Sequence, residues 1–392
     1  MLPDVNVELN TADITPFSLY LQFFDCLIIV ESDRTFPLDE IAYIYRRFVI
    51  SAKPTGDHLT RACRIRVRTQ GDGRSAQPYL HWNGAAWPVP DPAWLPIYLN
   101  SCIFKILATQ VQSHLLIHAG AVTHNGQGLL LTADSGYGKT TLTLQLVRRG
   151  FHFLSDETAA LSLSERTIHP FPRALGLRAG SLALPALTDV LFQTPAYLGA
   201  KPLVDIDQLA PAGVGQAAPV RYVIFLRSPT EGHQAAPQPT VNLRLSLDRI
   251  SPAFVAALRE LPGVTMVDAA AGDGLGQVVL ELPRRQQPSF LAQLDHLCRH
   301  HGLWLFNVTC RTNRPTFTQP ACLTPIPVSQ AVLALLPHFQ GGYQSTLLQR
   351  HRPGAAWLYQ QLAAFLTQAR CYQLTVGPLD EMSQLVEQLF DT

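Results

Sequence analysis

The chain has 392 residues, 47% hydrophobic and 15% charged, which allows two or three domains with a large core and is not the composition of a disordered protein. A net charge of +1 excludes a nucleic-acid binder that relies on a strong overall basic field. The start, Met1-Leu2-Pro3-Asp4, lacks a basic region leading into an apolar run, and no uncharged apolar run reaches the roughly 18 to 20 residues of a membrane helix. The seven cysteines include no C-x-x-C pair, so a reduced, cytoplasmic protein without membrane or nucleic-acid partners is expected.

In chain order, residues 1–100 read as a mixed α/β domain. Strands are expected at "DCLIIVES", "YIYRRFVI" and "CRIRVRT", and "QPYLHWNGAAWPVP" reads as a hairpin turning at Asn83-Gly84. Residues Ala93 to Leu116 read as one helix leading onward.

The informative stretch is "LLLTADSGYGKTTLTLQLVRRGFHFLSDE". The apolar run Leu129 to Thr132 suits a buried strand. Gly136 and Gly138 supply a backbone that can bend and approach a ligand closely. A helix closed by Gly150 follows. Strand, glycine loop and helix form the context of a phosphate-binding loop, in which Ser135 to Thr141 would face a nucleotide. Lys139 would reach the outer phosphates and the Thr140 hydroxyl would bind Mg²⁺. Ala133 stands where the G-x-x-x-x-G-K-[ST] pattern has its first glycine, a tolerable change if its backbone stays out of the positive-φ region. The plainer alternative is a glycine turn before an ordinary core helix. A helix from Lys139 descends about 15 Å at 1.5 Å per residue. The strand Phe151 to Ser155 returns about that distance at roughly 3.3 Å per residue. Asp156 and Glu157 should therefore arrive level with the loop, where a carboxylate can bind Mg²⁺ or accept a proton. Arg173 and Arg178 follow in "PFPRALGLR" and could clamp phosphate oxygens.

Beyond the strand "VRYVIFLRSP" and a Pro- and Gln-containing linker, the pattern becomes βαββαβ over Thr240 to Arg311. This is the order of a ferredoxin-like unit, read here as an insertion, with extension of the preceding sheet as the alternative. "GDGLG" joins two strands and opens no helix, so it reads as a turn. His296 and His300 share a helix face but lack an acidic partner for zinc. The chain closes with two helices, the strand "RCYQLTVG" and the helix "LDEMSQLVEQLF".

Residues Leu115 to Arg178, with a weaker echo in "ARCYQLTVGPLDEMSQLVEQL", resemble the catalytic core of HPr kinase/phosphorylase and its relatives, whose nucleotide fold is shared with phosphoenolpyruvate carboxykinase. The resemblance implies an α/β fold with a P-loop core, which the element pattern divides into two parts, 101–239 and 312–392, on either side of the ferredoxin-like insertion at 240–311. It implies ATP and Mg²⁺ as cofactors, Asp156 as catalytic base and Glu157 as Mg²⁺ ligand, roles the two acids could share, and His118 of "IHAGAV" as a catalytic-site residue, expected to lie beside the acceptor and orient Asp156. Ala133 replaces a glycine and Glu157 the family's second aspartate. After Tyr222 to Pro229 there is no equivalent of the family's arginine-bearing loop, so phosphorylase activity is not implied. HPr-kinase-related enzymes of peptide-modification pathways phosphorylate a serine of a precursor peptide, so the implied acceptor is a protein or precursor peptide. The hexamers of related HPr enzymes make a homo-oligomer plausible. Two rivals remain open: a kinase acting on free serine or a similar alcohol, and a nucleotide-gated binding protein.

Overall fold

The structure is a computed structural model that describes residues 17–55, 61–70, 77–177, 196–198, 201–209, 212–228, 240–272, 275–310 and 317–391. The expected linker after Arg227 and the candidate residue Arg178 lie outside the described residues. The chain is a mixed α/β protein in two compact units, one within Ser18–Gly232 and Arg314–Thr392, the other within His233–Asn313.

The larger unit is built on a 9-stranded sheet. Its centre is the strand Ala218–Arg227, parallel to Gln127–Thr132 on one side and to Arg370–Thr375 on the other. Gly120–His124 and then His152–Ser155 extend the sheet beyond Gln127–Thr132, both antiparallel. Both faces are covered, which is why these strands read as continuous apolar runs instead of alternating ones. Leu129, Leu131, Ile224 and Leu226 face one core with the helix Lys139–Arg148 and with Met382 and Val386 of the helix Leu379–Glu387. Leu130, Val223 and Phe225 face the other core with Val332, Leu362 and Phe365 of two further helices. Each fully buried Leu or Phe contributes roughly 1.5–3 kcal/mol. The parallel strands end on the same edge, the usual place for ligands in such sheets.

The N-terminal part of this unit is a 5-stranded sheet in chain order, backed by the helix Leu95–Gln110. The hairpin turns at Asn83 and Gly84 with φ of 51° and 75°, the positive pair that matches strand twist. Two expectations fail here. "YIYRRFVI" is not a strand: Leu38–Ile44 is a helix followed by a short 3₁₀ turn at Arg46–Phe48. The deciding signal starts upstream, where Leu38, Ile41 and Ile44 are buried at helical spacing and Asp39 and Glu40 sit in the first turn. The helix expected over Ala93–Leu116 ends at Gln110, and His114–Ile117 is a strand paired with Ala159–Ser162. That pairing comes from residues over 40 positions away and overrides local propensity. The strand Phe17–Phe23 was not anticipated.

The smaller unit has four antiparallel strands, Thr240–Leu247, Met266–Gly272, Leu275–Pro283 and Leu305–Cys310. Numbered by sequence, their spatial order is two-three-one-four. The helices Pro252–Glu260 and Gln287–His300 cover one face, packing Phe254, Leu258, Phe290 and Leu294 on Leu243, Leu245 and Leu280. Ser251 caps the first helix, its Oγ accepting from Phe254 N at 3.3 Å. Among the described residues no helix is long and apolar enough to cross a membrane.

Candidate functional site

The site begins where the fully buried strand Gln127–Thr132 runs out. Gly136 and Gly138 have φ of 96° and 83°, left-handed values that a side chain would strain. Gly138 is also the N-cap of the helix Lys139–Arg148 and caps it with no side-chain hydrogen bond; a helix N-terminus is where anions are favoured. Ser135 and Gly136 are exposed at the turn, and Thr140 and Thr141 are half-buried in the first helical turn. Ala133 is outside the positive-φ residues, and its methyl is buried with Leu129, Leu131 and Tyr137. The Tyr137 ring is itself buried in that core, so its side chain anchors the loop and is not offered to a ligand. The exposed ring of Phe317 lies against the loop, 3.4 Å from where a Gly138 Cβ would sit.

Lys139 turns toward the neighbouring segment. Its Nζ is 3.1 Å from His118 Nε2. His118 N donates to His338 O at 2.7 Å, which ties this segment to the turn after the helix Val328–Leu335. Burial, then the positive charges of His118, Lys139 and Arg227, push the His338 imidazole down to about 3. His338 is therefore neutral at physiological pH, among cationic neighbours that together favour an anion. Arg227, at the end of the central strand, was not singled out in the sequence. The available signal was an apolar strand closing on an arginine at a ligand-binding edge.

Asp156 follows the strand His152–Ser155 and is 5% exposed. Ser155 Oγ accepts from Thr158 N at 3.0 Å, which closes the turn around the acidic pair. Among the described residues no hydrogen bond or ion pair engages the Asp156 carboxylate. Glu157 is engaged on both its side chain and its backbone. Arg173 Nη2 makes an ion pair with Glu157 Oε2, and Gln340 Nε2 donates to Glu157 O at 3.3 Å. Arg173 is 9% exposed, with its guanidinium 4.8 Å over the Phe104 ring. Burial raises the Tyr45 hydroxyl well above the usual tyrosine range, while the nearby Arg173 charge opposes that rise. Arg173 thus meets a carboxylate where a phosphate clamp had been expected.

Gly120 is a further residue that sequence reasoning passed over, although it lies inside "IHAGAV". A Cβ there would be 2.5 Å from Thr143 Oγ1, 3.6 Å from Lys139 Cγ and 3.7 Å from Asp156 O. Glycine at this point lets the His118 segment, the loop helix and the acidic turn converge. Its signal was a small residue between a histidine and a strand.

The Thr140 hydroxyl, Asp156 and Glu157 are the groups that could hold Mg²⁺ brought with a polyphosphate, since Mg²⁺ usually takes one or two carboxylates plus phosphate oxygens and water. Among the described residues no group of three or more His, Cys, Asp or Glu side chains could hold a metal alone.

By fold and site, then, the chain is an α/β protein with a glycine loop, a lysine and an acidic pair on one sheet edge. No protein-family model matches it, and no curated protein matches it. Among solved structures it is similar to the Hpr(Ser) kinase/phosphatase from Coxiella burnetii, with 16% identity and a TM-score of 0.20 over 47% of this chain and 95% of that one. A likeness of that depth carries no argument about activity.

Proposed function

We propose that the chain is an ATP-dependent kinase that transfers the γ-phosphoryl group to a serine or threonine hydroxyl of a protein or precursor peptide. The observation that supports it is the meeting on one sheet edge of the glycine loop, Lys139 and the buried Asp156 carboxylate, unengaged among the described residues. On this reading the larger unit is a P-loop core of the HPr-kinase-like kind. The smaller unit is a ferredoxin-like insertion, as its strand order and its two helices on one face suggest.

The N–H groups from Ser135 to Thr141 face the polyphosphate, and the Lys139 ammonium exchanges His118 for the outer phosphates. Thr140, Asp156 and Glu157 would hold Mg²⁺, which when bound neutralises phosphate charge. Asp156 accepts the acceptor's proton. Its pKa need not rise far, because the proton leaves late and positioning supplies most of the rate. His118 orients Lys139 and lies toward the acceptor side. Arg227 adds to the positive field on the transferring group.

Mass spectrometry of peptides incubated with ATP and Mg²⁺ tests this. Wild type should add one phosphate, and Asp156→Asn should be slower by about 10²- to 10⁴-fold. Undiminished transfer by Asp156→Asn removes the base assignment. Phosphorylation of free serine without any peptide transfer makes the acceptor a small molecule. ATP binding without transfer to any acceptor leaves a nucleotide-gated binding protein.

A further inference from the structure

The Arg173–Glu157 pair has an oddity that bears on how metal enters. Arg173 is nearly buried: its guanidinium meets Glu157 and the Tyr45 hydroxyl, and among the described residues its Nε is enclosed without a partner. It is held in place. Phe104 lies under its face, and the adjoining backbone is fixed by Ala174 N donating to Ile44 O at 2.9 Å. The aromatic cluster of Phe23, Phe48 and Phe171 packs the same stretch onto the N-terminal sheet. A guanidinium fixed in this way cannot swing far. Its charge sits permanently beside the carboxylate assigned above to the metal.

We propose that Arg173 is a built-in counter-ion for the acidic pair, which keeps free divalent cations out and makes the metal enter only together with nucleotide phosphate. This rests on the reading of Glu157 as a metal ligand. The physical reason is a balance of charge. Glu157 is already neutralised by Arg173, so a bare dication beside it gains the single unengaged charge of Asp156 and meets a fixed cation. A dication that arrives with ATP brings several phosphate charges, which offset both itself and Arg173. One carboxylate can serve both partners, because its two oxygens offer about four acceptor positions and Arg173 uses Oε2. Arg173 acts through Glu157 and is a positioning residue.

The test is Mn²⁺ titration followed by electron paramagnetic resonance, with the full chain, with and without ATP. Wild type should bind Mn²⁺ weakly alone and well with ATP. Arg173→Met, close to arginine in length and without charge, should bind Mn²⁺ alone at least tenfold more tightly. Arg173→Gln keeps a donor for Glu157 but not the charge, and should show the same gain if both variants melt cooperatively. In the double variant Arg173→Met/Glu157→Gln the gain should vanish. Unchanged affinity for Mn²⁺ alone in both single variants, with Mn²⁺–ATP binding kept, overturns the counter-ion. A gain that survives in the double variant also overturns it. If wild type binds no Mn²⁺ even with ATP, the nucleotide reading itself fails, an outcome distinct from the other two.

Discussion

Gly120→Ala is the sharpest perturbation of the site, because one methyl group meets three of its parts. The added Cβ would stand 2.5 Å from Thr143 Oγ1, inside any tolerated contact. Thr143 cannot simply yield: it is fully buried, and its hydroxyl donates to Lys139 O at 2.9 Å. Either the first turn of the helix Lys139–Arg148 shifts or that hydrogen bond breaks. Overpacking costs about 1–3 kcal/mol and the lost bond about 1 kcal/mol, so a loss of roughly 2–4 kcal/mol is expected. For a unit of this size that corresponds to a fall in Tm on the order of 3–7 °C. Because the displaced turn carries Lys139, ATP affinity measured by calorimetry should fall with it. Thr143→Ala removes the clashing atom, so the double variant Gly120→Ala/Thr143→Ala should be about as stable as Thr143→Ala alone. A thermal-melt double-mutant cycle should then return a coupling of about 2–4 kcal/mol, the whole of the Gly120→Ala loss. Additive losses, with coupling below about 0.5 kcal/mol, would refute the close approach.

The remaining predictions concern pH and the second unit. His338 has its folded pKa lowered to about 3, against an ordinary value of 6.5, so the unfolded chain binds the extra proton between those values. The His338 contribution is complete above pH 6.5 and is lost as pH falls toward 3, by up to about 1.4 kcal/mol per pH unit. His338→Gln should flatten denaturant-measured stability against pH in that window. The slope that stays includes His114, lowered to about 4 chiefly by burial and then by His169, with Asp25 and Glu165 opposing, and His81, lowered by burial and then by Arg68 and Arg66. An unchanged slope in His338→Gln would contradict the buried, cation-surrounded setting. Ser251→Ala removes the cap on Pro252–Glu260 and should destabilise the smaller unit by about 1 kcal/mol, seen as faster amide exchange there, with ATP affinity unaltered. A change in ATP affinity would mean that this helix end bears on the nucleotide site.

The sequence by itself determined what is local. Gly136, Gly138, Lys139 and Thr140 are contiguous, and positive φ at two glycines followed by a helix N-terminus is a property of a few adjacent residues. The return of Asp156 to the same edge followed from helix rise and strand rise alone. The βαββαβ order of the smaller unit was equally legible, because alternation and capping mark each element in turn. Tertiary structure decided what distant partners impose. His114–Ile117 became a strand because Ala159–Ser162 offered it a ladder, and Leu38–Ile44 became a helix because the core took one face of it. The partner of Arg173 was likewise invisible: nothing in "PFPRALGLR" states that Phe104 lies beneath it or that Glu157 pairs with it. Gly120 looked like any small residue until Thr143 was found 2.5 Å from its missing side chain. Periodicity and turn chemistry are written in neighbouring residues. Close approach and charge pairing depend on which segments the packed core brings together, and no short stretch of chain carries that information.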